Sequence, residues 1–123
     1  KPEKISNSKE TMKLILKSLD SDKALDIKSI NLKNRSSFAD YMIIASGNSS
    51  RQVSSMSNNL IKKLKEYNIK TRKPEGLINS DWVLIDANDI IIHLFRPEVR
   101  DFYKLEKMWD TPKLDNHKNN QLI

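Results

Sequence analysis

Tyr41-Met42-Ile43-Ile44-Ala45 runs directly into Ser46-Gly47-Asn48-Ser49-Ser50-Arg51-Gln52, an apolar strand followed by a turn and a helix start. Five consecutive apolar residues suit a strand covered on both faces, the mark of a sheet centre in a layered α/β domain. The run stops at Ser46-Gly47, and Ser49 with Gln52 three residues later forms a capping box that opens a helix. Beyond it Val53, Met56, Leu60, Leu64 and Tyr67 recur at intervals of three and four, so one helical face is predicted to lie on the sheet.

On the N-terminal side, Met12, Ile15, Leu16 and Leu19 form a second helical stripe, with Asn7 and Glu10 placed to cap its first turn. Leu25, Ile27, Ile30 and Leu32 nearly alternate, and the phase slips around Lys28-Ser29 as it does in an edge strand with a bulge. Toward the C-terminus, Ile69 to Lys73 reads as a short strand ended by Pro74-Glu75-Gly76. Trp82 to Asp86 and Ile90 to Phe95 read as two further strands, joined by a hairpin turn at Ala87-Asn88. Pro97 suits the first position of a last helix, Glu98 meets its N-terminal dipole, and the helix is predicted to carry Val99, Phe102, Tyr103, Leu105, Met108 and Trp109. The order α-β-β-α-β-β-β-α predicts one α/β domain over residues 7–110, a mixed five-stranded sheet flanked by helices. Residues 111–123 are polar and aperiodic, and are predicted to be a disordered tail.

Composition bounds the function classes. At 123 residues with 37% hydrophobic side chains, the chain supplies one core and not two. A charged fraction of 31% and a mean hydropathy of −0.64 leave no apolar run of the roughly 20 residues that a membrane helix needs. The start, Lys1-Pro2-Glu3-Lys4, has no apolar run of the kind a signal peptide requires. With no cysteine there is no disulfide framework, thiolate metal site or cysteine nucleophile. The only glycines, Gly47 and Gly76, fit neither the P-loop nor the dinucleotide fingerprint. Net charge is +6, unevenly spread. Residues 62–73 hold six bases (Lys62, Lys63, Lys65, Lys70, Arg72, Lys73) against Glu66, a local balance of +5. Residues 74–110 hold four bases against eight acids, a balance of −4, together with most of the aromatics. Aromatics among carboxylates suit a basic protein partner better than an RNA strand.

Candidate chemistry is thin. Ser46-Gly47-Asn48-Ser49, between a buried strand and a helix, reads as a turn plus helix cap in preference to an anion site. A nucleotidyltransferase would follow such a turn with paired carboxylates on the next strand to hold metal ions; here that strand offers Lys70, Thr71 and Arg72. Asp86 and Asp89 read as turn-flanking residues, and His93, inside the apolar run 90–95, as a hydrogen-bonded packing residue. His117 lies in the polar tail, and Asp40 reads as a loop residue, pairing with Arg35 or capping, before it reads as a general base. No residue is expected to be catalytic, no set of residues to ligate a metal, and no cofactor to be bound.

Phe38-Ala39-Asp40-Tyr41-Met42-Ile43-Ile44-Ala45-Ser46-Gly47-Asn48-Ser49-Ser50-Arg51-Gln52 resembles the signature stretch of the ribosomal silencing factor family, the Iojap-related proteins. A second block agrees in order and spacing: Glu75-Gly76, Asp81 to Asp86, Asp89 to His93, and Arg100 to Trp109. The resemblance covers roughly residues 7–110. It implies a fold like a nucleotidyltransferase stripped of its catalytic carboxylates, and a non-enzymatic translational repressor. Such a factor binds the large ribosomal subunit through its fourteenth protein and sterically blocks joining of the small subunit; organellar relatives are tied to large-subunit assembly. A homodimer through the sheet region is also implied, and no membrane. The expected location is the bacterial cytoplasm, or an organellar matrix under the assembly reading. Asn88 stands where the family's hairpin usually has glycine. The expected docking surface is Trp82, Asp86, Ala87, Tyr103 and Glu106, with Lys62, Lys63, Lys70, Arg72 and Lys73 facing rRNA. A degenerate nucleotide-binding enzyme and a free RNA-binding module are the remaining alternatives.

Overall fold

A computed structural model describes the backbone of residues 7–103 and the side chains of residues 7–100. The elements are α1 (Ser8–Ser21), β1 (Leu25–Asn31), β2 (Tyr41–Ser46), α2 (Ser50–Glu66), β3 (Trp82–Asp86), β4 (Ile90–Phe95) and α3 (Pro97–Tyr103). The strands form one mixed sheet in the order β1-β2-β4-β3, with β2 and β4 parallel and both outer pairs antiparallel.

Both long helices begin at the caps the sequence announces. The Asn7 side chain accepts from the Glu10 amide at 2.8 Å, and Ser49 Oγ accepts from the Gln52 amide at 3.1 Å. Gln52 then reaches back with Oε1 to accept from the Asn48 amide at 2.6 Å. Their C-terminal ends are less legible. Each closes in a Schellman motif: Ala24 N donates to Leu19 O after α1, and Ile69 N to Leu64 O after α2. The left-handed position in these motifs is usually glycine, and here it is Lys23 (φ 62°) and Asn68 (φ 61°).

The β2 run is buried along its whole length, because alternate residues serve two cores. Tyr41, Ile43 and Ala45 face α1 and α2, where Ile15, Leu19, Val53, Met56, Leu60 and Leu64 close the main core. Met42 and Ile44 face the other way, joining Ile30, Leu32, Ala39 and Phe95 in a smaller cluster on which Val99 of α3 packs. The expected slip in β1 is a register shift between Leu25 and Lys28, with Asp26 at φ 48°.

The sheet has four strands among the described residues, not five. Residues 69–73 run alongside β3 without laddering onto it. Arg72 N donates to Asp86 O, and Glu75 and Leu84 exchange two backbone bonds in an isolated bridge. Pro74 has no N–H to offer between those two points, so the pairing stays discontinuous. Gly76 follows at φ 89°, and a Cβ there would stand 2.0 Å from the Trp82 carbonyl oxygen. The β3–β4 turn also falls one residue later than expected. Ala87 N still pairs with Ile90 O, so Asn88 and Asp89 make the corner, with Asn88 at φ 68°. The expected continuation of the last helix beyond Tyr103 and the polar segment 111–123 lie outside the described residues.

Candidate functional site

Strand alternation sorts the hairpin side chains onto two faces. Val83 and Ile85 go inward to the helices, whereas Trp82, Leu84 and Asp86 line the opposite face and are half-buried. On neighbouring β4, Ile91, His93 and Phe95 share that outer face, since Trp82 pairs with Phe95, Leu84 with His93 and Asp86 with Ile91. The result is an aromatic cluster. The Trp82 and Phe95 ring centroids are 5.3 Å apart, and His93 stacks on Phe95 at 6.0 Å and 15°. Trp82 Nε1 donates to His93 Nδ1 at 2.9 Å. His93 is 8% exposed, and desolvation lowers its pKa from 6.5 to about 4, so the ring is neutral and carries its proton on Nε2.

The expected docking residues therefore separate. Trp82 and Asp86 lie on the same face of β3, but Ala87 is 2% exposed in the helix-side core, where its methyl cannot touch a partner. The reason is the pleat: one residue past Asp86, the side chain has crossed the sheet. Tyr103 has its backbone in α3, and Glu106 lies outside the described residues. The basic block is exposed at Lys62, Lys63, Lys65, Lys70 and Lys73, none of which has an ion pair among the described residues. Arg72 differs, since its Nε lies 3.4 Å from Asp86 Oδ2. Through this pair the basic block reaches Asp86 and partly neutralises it.

At the carboxyl ends of parallel strands β2 and β4, where open α/β sheets bind nucleotides, the groups are engaged with one another. Ser46 Oγ accepts from Arg100 Nη1 at 3.1 Å, Asp81 accepts from Ser50 Oγ at 3.0 Å, and Arg96 Nε lies 2.9 Å from the same Asp81 oxygen. Gly47 leaves room for α2, since a Cβ there would stand 3.0 Å from Val53 Cγ2. At the other end of the sheet, Asp40 accepts from Ser8 Oγ at 2.9 Å and holds the start of α1 against the β2 entry, the loop role expected of it. An open cleft of about 570 Å³ there mixes Lys70 and Arg72 with Asp86 and Asp89. Among the described residues no three His, Asp or Glu side chains gather as a metal site, and no helix is long and apolar enough to cross a membrane.

Sequence reasoning missed Leu84, the Arg96–Asp81–Ser50 cluster and the partner of His93. Strand alternation through a tight hairpin would have put Leu84 between Trp82 and Asp86 and His93 opposite it; the arginine cluster joins segments too distant in sequence to show any spacing.

The fold defines the structural class, a small mixed-sheet α/β domain with an apolar, aromatic outer sheet face and a strand-end crevice whose polar groups face one another, with Arg96 Nε buried beside Asp81 but without a hydrogen bond. Comparison with known proteins makes it specific. The family model for "Ribosomal silencing factor during starvation" matches residues 5–122, and the chain belongs to that family. It is 58% identical over 98 residues to the ribosomal silencing factor RsfS of Zymomonas mobilis, covering 80% of this chain and 74% of that one. It is 32% identical over 106 residues to a mouse protein named for mitochondrial assembly of the ribosomal large subunit, covering 84% of this chain and 46% of that one. A crystal structure of a protein from Chromobacterium violaceum superposes with a TM-score of 0.84 at 34% identity, covering 87% of this chain and 89% of that one.

Proposed function

We propose that this chain is a translational repressor of the bacterial cytoplasm, which docks on the large ribosomal subunit, chiefly on its fourteenth protein, and keeps the small subunit from joining by occupying the space between them. The observation that carries this reading is the family match over residues 5–122. The outer face of β3 supports it physically, because Trp82 supplies a rigid apolar anchor and Asp86 a carboxylate for a basic ribosomal protein. Tyr103 and Glu106 extend that docking surface along the chain, and Ala87 serves it only through the backbone of the turn. Lys62, Lys63, Lys70, Arg72 and Lys73 approach rRNA and add a salt-sensitive attraction. A steric block requires occupancy and no bond-making, which agrees with a family of regulatory factors. In such a factor the engaged strand-end crevice is scaffold, a nucleotidyltransferase-like framework without the catalysis. The chain also pairs with a second copy through its sheet region.

Cosedimentation with isolated large subunits, small subunits and joined ribosomes tests this reading. Binding to the large subunit alone is expected, and charge reversal at Glu106 combined with Trp82→Ala should weaken it at least tenfold. Unchanged cosedimentation of a folded double variant would remove this surface. The mouse relative's name favours a second reading, large-subunit assembly in an organelle; that role predicts association with immature large particles over mature ones.

A further inference from the structure

Trp82 is the natural anchor of the docking face, yet its only polar group is not available to a partner. The indole N–H is spent on His93 Nδ1 at 2.9 Å, and both rings are held against Phe95, at 5.3 and 6.0 Å between centroids. His93 comes from the central strand β4, flanked by Ile44 on β2 and Leu84 on β3, so its backbone position is among the most constrained in the sheet. With Nδ1 occupied as an acceptor, the neutral ring carries its N–H at Nε2, the nitrogen farther from the sheet. No described residue accepts from it.

We propose that Trp82 and His93 act as one recognition unit: His93 fixes the indole orientation, and the pair presents to the docked ribosomal protein an apolar indole edge beside the imidazole Nε2–H. The partner this fits offers a hydrogen-bond acceptor, a carbonyl or carboxylate oxygen, next to an apolar side chain. His93 is thus a positioning residue for Trp82 as well as a contact. The inference rests on the docking reading above and goes beyond it, because that reading gives His93 no role.

Large-subunit cosedimentation of His93→Phe, His93→Gln, Trp82→Phe and Trp82→Ala tests it. His93→Phe keeps a ring but neither accepts nor donates, and its affinity is expected to fall about tenfold with the fold intact. His93→Gln, whose amide does both, should stay within about threefold of the wild type. Trp82→Phe, which cannot donate, should lose several-fold, and adding His93→Phe to it should cost less than His93→Phe costs alone. In the free protein, the Trp82 indole proton should be protected from exchange and lose that protection in His93→Phe. If His93→Phe binds as wild type while Trp82→Ala does not, the unit is refuted and the docking face stands. If Trp82→Ala also binds as wild type, both fall. Should His93→Phe fail to fold, Trp82→Phe decides, and wild-type affinity there overturns the proposal.

Discussion

Gly76 and Gly47 are the chain's only glycines, and they are irreplaceable to different degrees. At Gly76 the left-handed φ of 89° and the 2.0 Å clash with the Trp82 carbonyl act together, and that carbonyl is backbone and cannot swing aside. Gly76→Ala is expected to cost at least about 3 kcal/mol in chemical denaturation. At Gly47 a Cβ would stand 3.0 Å from Val53 Cγ2 and 3.1 Å from the Val53 backbone nitrogen, tight but not overlapping and with no left-handed φ, so Gly47→Ala should cost about 1–2 kcal/mol. His93 gives a pH signature. Its pKa is about 4 in the fold against 6.5 unfolded, so above pH 6.5 the ring is neutral in both states and costs nothing. As pH falls from 6.5 toward 4 the unfolded chain takes up the proton first, and stability should drop by an amount on the order of 3 kcal/mol. His93→Gln should remove that part of the slope when unfolding is followed across this window. That His93 is a packing residue was legible from its apolar neighbours; its bond to Trp82 was not, since that depends on hairpin register.

The helix starts were legible because Asn7 and Ser49 cap with side chains, whereas the ends were not, because Lys23 and Asn68 stand where glycine would have marked them. That gap is also a reserve of stability: Lys23→Gly should stabilise the domain by up to about 1 kcal/mol by relieving a left-handed lysine, measured as a raised denaturation midpoint. Leu60→Ala, in the buried stripe of α2, should cost about 2–5 kcal/mol. Strands β1, β2, β3 and β4 were visible as patterned runs. The expected fifth was not a strand, because propensity over residues 69–73 says nothing about which β3 amides and carbonyls are within reach, and Pro74 interrupts the pairing. The same limit moved the hairpin turn by one residue and carried Ala87 into the core, correcting its place on the docking face.

At the scale of the whole molecule, the basic block 62–73 and the described part of the acidic segment, residues 74–100, meet at a seam. The Arg72–Asp86 pair joins the two halves at 3.4 Å, with Arg72 84% exposed at its side chain. An ion pair so open to water is worth at most about 1 kcal/mol, so Asp86 remains exchangeable for a basic partner. If the basic block approaches rRNA, replacing Lys62 and Lys63 by glutamine should flatten the salt dependence of large-subunit binding by up to about two units in log K against log salt. The most direct test of the steric claim is subunit joining itself. Large subunits preincubated with this protein and then mixed with small subunits should show a light-scattering rise whose amplitude falls in proportion to the fraction of large subunits bound, and Trp82→Ala should restore it. Full joining on saturated large subunits would contradict the account.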